Sequence, residues 1–144
     1  MENLVKAEIL DVCPTPYGYA AFVRAAGKIF VIHINRMRGM SLQYAKENRK
    51  GERPFTHEFI LQLLDGLDCS VSKVVIYHVD DGTFYTKMIV EMDNEVSQKI
   101  VEIDARPSDT ISVALRSGAP VFVTHDVLGK VEDITETYRK IKGE

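Results

Sequence analysis

Ile103-Asp104-Ala105-Arg106-Pro107-Ser108-Asp109-Thr110-Ile111-Ser112-Val113-Ala114-Leu115-Arg116-Ser117-Gly118-Ala119-Pro120-Val121-Phe122-Val123 holds a helix start, a helix stop and the opening of a strand in one run. Pro107 presets the backbone angle of a first helical position, Ser108 and Asp109 put a hydroxyl and a negative charge into the first turn, and Gly118 supplies the stop. The spacing of Ile111, Ala114 and Leu115 predicts a helix over 107–117 with one face on a core, and Val121 to Val123 read as a short buried strand. Asp104, Arg106, Ser108 and Asp109 are thereby drawn to one strand-to-helix junction. Carboxylates, a guanidinium, a hydroxyl and unpaired helix amides are the groups that hold a phosphate, or a phosphate with a metal. The plainer alternative is that Asp109 caps the helix and Arg106 pairs with Asp104.

Outward from this stretch the chain repeats itself. Leu4 to Val12, Tyr19 to Arg24 and Lys28 to Ile34 read as strands, the first ended by Pro14-Thr15-Pro16. Met37, Met40 and Tyr44 then give a helical stripe that fades into a polar loop at Glu47 to Glu52. A helix over 57–67 follows, with Thr56 as N-cap, Phe55 as a hydrophobic staple against Ile60, and a broad apolar face of Phe59, Ile60, Leu63, Leu64 and Leu67. Val71 to Val79 and Thr83 to Met92 form a hairpin around Asp80-Asp81-Gly82, and Lys99 to Ala105 is a third strand. A weaker helix is expected over about 133–142. Thr83, Phe84 and Tyr85 read as strand packing.

Strand, strand, strand, helix therefore occurs twice, over about 4–45 and 71–117. Setting Lys28-Ile29 on Lys99-Ile100 brings Ile32 onto Ile103 and Ser41 onto Ser112 at one offset. The expected fold is α+β, an internally duplicated β-β-β-α unit with mostly antiparallel sheet and helices packed on it, in one domain spanning 1–144. In this register Arg38 lies opposite Asp109, and a pseudo-twofold would bring the two helix starts together at a site shared by both halves.

With 144 residues, 45% hydrophobic and 27% charged, the chain can bury a core without metal or disulfide staples. Cys13 and Cys69 form no C-x-x-C pair. No apolar run at the start reads as a signal peptide or membrane span, so a cytoplasmic protein without membrane contact is expected. The net charge of −3 argues against a protein that coats nucleic acid by bulk electrostatics. Arg36 to Arg53 is the exception, with six basic residues against two acidic ones, while the remainder has twelve against nineteen. A local +4 can meet a phosphate backbone or can be a solvated surface. Glycine-rich phosphate loops, G-x-S-x-G elbows and zinc-spaced cysteines are absent, which excludes dinucleotide enzymes and serine hydrolases of those types.

R-P-F-T-H-E from Arg53, D-G-T-F-Y from Asp81, and I-D-A-R-P-S-D from Ile103 followed by A-L-R-S-G-A-P-V stand in an order and spacing that resemble the bifunctional nuclease family. The resemblance runs from Arg53 to about Leu128 and is looser before it. It implies an α+β fold with a duplicated unit, and cleavage of RNA and DNA by at least some members. Two positions depart from the family pattern: Arg38-Gly39 stands where members carry a glutamate-alanine pair, and Glu58 stands for aspartate. Metal-assisted phosphodiester hydrolysis needs hard oxygen ligands and a cation near the phosphate. Asp104 and Asp109 are the acids for a Mg or Mn ion, and Arg53, Arg106, Ser108 and Thr56 are candidates to hold substrate. His57 near a helix start could shuttle a proton, as in metal-free ribonucleolytic chemistry. His33, His78 and His125 have no ligand spacing and read as structural or surface residues. Arg116, in a last helical turn, reads as a dipole partner. Two classes stay open: a nuclease acting on RNA or DNA, and a non-catalytic homologue serving as a binding or oligomerisation module. A homo-oligomer, with a dimer favoured, is expected.

Overall fold

In the computed structural model, which describes residues 3–143, the chain opens with three antiparallel strands, β1 (Leu4–Thr15), β2 (Gly18–Ala25) and β3 (Lys28–Ile34), and passes into helix α1 (Arg36–Lys46). After helix α2 (Thr56–Gly66) the order returns as β4 (Cys69–Asp80), β5 (Thr83–Asp93), β6 (Gln98–Ala105) and α3 (Pro107–Ser117). Strand β7 (Val121–Thr124) and helices α4 (His125–Lys130) and α5 (Thr135–Ile141) follow. One seven-stranded sheet results, in the order β3-β2-β1-β7-β4-β5-β6. Each three-stranded meander lies to one side of β7, which is antiparallel to β1 and parallel to β4. The fold is α+β, with helices on a mostly antiparallel sheet.

Local chemistry explains most of the element ends. Ala26 and Gly27 (φ 50° and 76°) close the β2–β3 hairpin, and Asp81 and Gly82 (φ 49° and 79°) close β4–β5. Two successive left-handed residues form the turn whose twist suits a hairpin. Helix α3 runs over the residues its punctuation predicts and ends on Gly118 at φ 78°. Helix α1 has a firm start that its weak stripe conceals, because the Asn35 side chain accepts from the Arg38 amide at 3.0 Å. Gly39, a poor helix former, is required there: a Cβ at that position would sit 2.4 Å from the Tyr19 ring. Its absence lets α1 lie close on β2.

Several expectations need correcting. β1 runs through Pro14 to Thr15, since β7 covers only Leu4 to Ala7 and the open side of β1 beyond that tolerates a residue with no amide hydrogen. The N-cap of α2 is Phe55, whose amide donates to Glu58 Oε1 at 3.0 Å, so Thr56 is the first helical residue. The apolar face of α2 is split. Ile60 and Leu64 join the core, while Phe59, Leu63 and Leu67 are 60%, 53% and 59% exposed. Helix α4, capped by Thr124, has no counterpart in the sequence reading.

The main core lies between the sheet and α1, α3 and α4. A smaller cluster of Ala20, Phe22 and Ile29 fills the opposite face of the first meander, with Ile134 and Tyr138 from α5 as its cover. β2 is therefore buried on both faces and reads as a near-continuous apolar run. The Ile134 amide donates to the Ile29 carbonyl at 2.7 Å, and the rings of Tyr138 and Phe22 lie 5.0 Å apart. Tyr138 also donates to Asp11, which Lys142 approaches at 3.1 Å. Burial raises the Asp11 carboxyl, but those two partners outweigh it and leave it below the ordinary 3.8. A carboxyl held low in the folded state stabilises fully above its unfolded value and loses that contribution as pH falls through the folded value. Asp11→Asn is expected to cost roughly 1 kcal/mol at pH 7, a charged hydrogen bond discounted for solvent. Denaturant titrations of both proteins should show the gap closing as the pH drops below 3.8.

Candidate active site at the junction of three helices

Helix α3 packs against both α1 and α2, so its first turn meets theirs. His57 is the second residue of α2 and the one residue of that helix that is buried, at 7% exposure. Asp109 is the third residue of α3. His57 Nε2 lies 2.9 Å from Asp109 Oδ1, and Arg106 donates from Nε and Nη2 to Oδ2 of the same carboxylate at 3.3 and 3.2 Å. A carboxylate only accepts, so Nε2 donates, which fixes the tautomer and leaves Nδ1 as the basic nitrogen. Among the described residues Nδ1 has no hydrogen-bond partner. Burial falls off outward: the imidazole is enclosed, the carboxylate is about a third exposed and the guanidinium is mostly in water.

Two cavities flank this line. One, of about 240 Å³, lies between α1 and α2 and is walled by Met37, Met40, Tyr44 and Phe55, with Ser41, Thr56, His57 and Arg116 as its polar groups. The other, of about 230 Å³, is bounded by Arg38, His33, Thr83, Phe84, Arg106 and Ser108 among others. Ser108 is buried and its hydroxyl has no protein partner.

The sequence candidates divide as follows. His57, Asp109 and Arg106 form one cluster, with Ser108 beside it and Thr56 at the rim of the first cavity. Arg53 is exposed on the loop before α2. Arg38, expected opposite Asp109, makes no ion pair among the described residues and instead lines the second cavity beside Arg106. Asp104 is elsewhere. Thr86 bonds to Thr110 of α3, so its neighbour Lys87, and Asp104 paired with Lys87 across the ladder, point to the other face of the sheet. There Asp104 accepts from Tyr77 at 2.7 Å, a bond that raises the tyrosine pKa above 10.

A divalent ion shared by Asp104 and Asp109 does not fit this arrangement. The two carboxylates face opposite sides of the sheet, both oxygens of Asp109 are taken, and no group of three His, Cys, Asp or Glu among the described residues could hold a metal.

Sequence reasoning missed Arg116, Tyr44 and Phe55. Arg116 is only 4% exposed, donates to the Arg49 carbonyl at 2.9 Å and sits 5.4 Å above the Phe55 ring. Its helix position is explained by the dipole alone, so nothing local marks it. Phe84, expected to pack in its strand, stacks on Phe30 at 5.7 Å.

The model of the bifunctional nuclease domain matches residues 23–135, a span that contains every residue of the junction. The chain belongs to the bifunctional nuclease domain family. It is also 30% identical over 99 residues to "Uncharacterized protein MT1877" and "Uncharacterized protein Rv1829", from two strains of Mycobacterium tuberculosis. Those matches cover 69% of this chain and 56% of each relative, so the chain spans little more than half the length of the relatives it matches. No helix among the described residues is long and apolar enough to cross a membrane.

The exposure gradient sets what Asp109 is worth to stability. Arg106 can return to water when its partner is lost, whereas His57 cannot. Asp109→Ala should therefore cost about 1–3 kcal/mol, one buried hydrogen bond left unmade, and not the larger sum of a stranded buried guanidinium. Asp109→Asn keeps an acceptor for Nε2 and should unfold within about 1 kcal/mol of wild type in a urea titration.

Proposed function

We propose that this member of the family binds RNA at the junction of α1, α2 and α3 and cleaves it by acid–base catalysis at His57. The observation that supports this is the 2.9 Å bond from a buried, tautomer-fixed imidazole to Asp109 at the edge of a cavity. A base without a metal needs a nucleophile already in the substrate, and the ribose 2′-hydroxyl is one. His57 Nδ1 takes the 2′-hydroxyl proton, the 2′-oxygen bonds to phosphorus, the bond from phosphorus to O5′ breaks, and O5′ takes a proton from solvent. The products are a 2′,3′-cyclic phosphate and a free 5′-hydroxyl. Asp109 holds the imidazole and stabilises its charged form, while Arg38, Arg53 and Arg106 supply positive charge for the backbone. DNA has no such nucleophile and is expected to bind without being cut. The unpaired cysteines Cys13 and Cys69 suit a reducing compartment, which supports a cytoplasmic setting.

The test uses one RNA oligonucleotide and its DNA counterpart, each with EDTA and with added Mg or Mn. Cleavage of RNA alone, undiminished by EDTA and leaving cyclic phosphate ends, is expected. Asp109→Asn should lower the rate by about 10²–10⁴ while keeping the fold, because an amide can hold the ring in the wrong tautomer. Cleavage that appears only with metal would overturn the acid–base reading.

A second reading, self-association, is favoured by Phe59 and Leu63 of α2 and Leu67 at its C-cap, which stand exposed at i, i+4 and i+8. Covering them would be worth about 1.5–3 kcal/mol for each side chain fully buried. A dimer is the expected assembly. Light scattering behind size exclusion should give twice the chain mass for wild type and a single chain for Leu63→Lys. A wild type that stays monomeric across the micromolar range would remove this reading.

A further inference from the structure

Arg116 is buried in the wall of the cavity between α1 and α2, and part of its hydrogen-bonding capacity is unused. Its Nη1 is committed to the Arg49 carbonyl at 2.9 Å, with Glu58 farther off at 3.9 Å. Its Nε donates to nothing and is covered in this structure, so a ligand in the cavity meets it only once the guanidinium turns toward the opening. Among the described residues Nη2 has no hydrogen-bond partner either. Nε and Nη2 form the side-on fork of a guanidinium, the same pair that Arg106 turns on Asp109. A buried donor left without an acceptor is costly, and it is retained where something else supplies the acceptor.

The rest of the cavity is suited to a flat ring. Tyr44 and Phe55 line it with ring centroids 5.8 Å apart, Arg49 lying 4.7 Å over the Tyr44 ring and Arg116 5.4 Å over the Phe55 ring, and Met37 and Met40 add polarisable sides. Its volume of about 240 Å³ admits one aromatic heterocycle. Aromatic walls hold any base by stacking, whereas a side-on arginine fork selects for two adjacent acceptors. Guanine presents O6 and N7 as such a pair. Adenine sets a donor beside N7 and uracil an N–H between its two carbonyls, while cytosine offers O2 and N3 on a single ring that covers less of the aromatic walls.

We infer that this cavity is a guanine-binding subsite, in which Tyr44 and Phe55 stack on the base and Arg116 reads its O6 and N7 edge. The inference rests on the cleavage reading only for its consequence: His57 lines the same cavity, so the ribose carried by a seated guanine lies at the acid–base group and RNA is cut on the 3′ side of G.

Binding and cleavage are measured separately, so that failure of one is distinguishable from failure of the other. Titration calorimetry of the intact protein with guanosine, adenosine, uridine and 7-deazaguanosine needs no turnover. Guanosine is expected to bind at least about tenfold more tightly than adenosine or uridine. 7-Deazaguanosine, which lacks one acceptor and leaves the protein untouched, should lose most of that margin, so the conclusion does not depend on whether an Arg116 variant folds. Tyr44→Ala should weaken guanosine about tenfold, and Tyr44→Phe should not. Equal affinity for the four nucleosides, or no guanosine binding up to millimolar concentration, would overturn the subsite. Guanosine selectivity without RNA cleavage would leave the subsite standing and remove His57 as a base. Cuts with no preference for G, alongside no guanosine selectivity, would do the reverse.

Discussion

Helix α3 is packed against two other helices and two strands, and the structure depends on its fitting there. Six of its residues are buried, and three of them, Ser108, Thr110 and Ser112, carry hydroxyls. Small side chains let α1 and α2 approach closely, and a hydroxyl taken from water is costly unless it finds a partner, which Thr110 and Ser112 do inside the protein. Thr110 meets Thr86 of β5 at 2.7 Å, and Thr86 lies close to the Ala105 carbonyl at 2.6 Å. Ser112 turns back to the Ser108 carbonyl at 2.5 Å. Sheet and helix are thus tied at the point where β6 becomes α3, and Asp109 one residue before Thr110 is held at a fixed height against α2. The cluster of His57, Asp109 and Arg106 inherits its geometry from this packing.

The two meanders meet different surroundings. α5 covers the back of the first, so β2 is enclosed, while β6 at the far edge is exposed along almost its whole length, with Ile100 at 68%. An unpaired apolar edge is an association liability that native chains usually blunt with charge. Lys99, Glu102 and Asp104 are interspersed along β6 in that manner, and Lys87 holds Glu102 at 2.7 Å.

What was legible in the sequence was whatever short-range chemistry decides. The ends of α3 follow from Pro107 and Gly118, and the β4–β5 hairpin from Asp81-Gly82, because each is set by the backbone angles of the residues concerned. The family motifs were also readable, and His57 stood out beside its helix start. The partner of His57 was not, since fifty-two residues separate it from Asp109 and only the packing of α2 on α3 joins them. The repeat register, applied across helices, pointed to Arg38 in its place. Period alone could not divide the apolar face of α2, because it reports which residues share a side and not whether a neighbour covers that side. Asp104 failed as a companion to Asp109 for a related reason: proximity in sequence is undone where strand alternation sends one side chain through the sheet and a helix begins on the other face.

Arg38 then takes on a different meaning from the one its place in the repeat suggested. An acid there would have set a second carboxylate near the first turn of α3. An arginine gives the cleft of about 230 Å³ two guanidiniums, its own and that of Arg106, beside a helix N-terminus and a hydroxyl without a partner. Helix amides and dipole add positive potential to the same place. All of these terms favour an anion over a cation, and they sit next to the basic stretch of a chain whose remainder is strongly acidic. Under the proposed function a phosphate backbone is favoured where α1, α2 and α3 meet, beside an imidazole already held by a carboxylate.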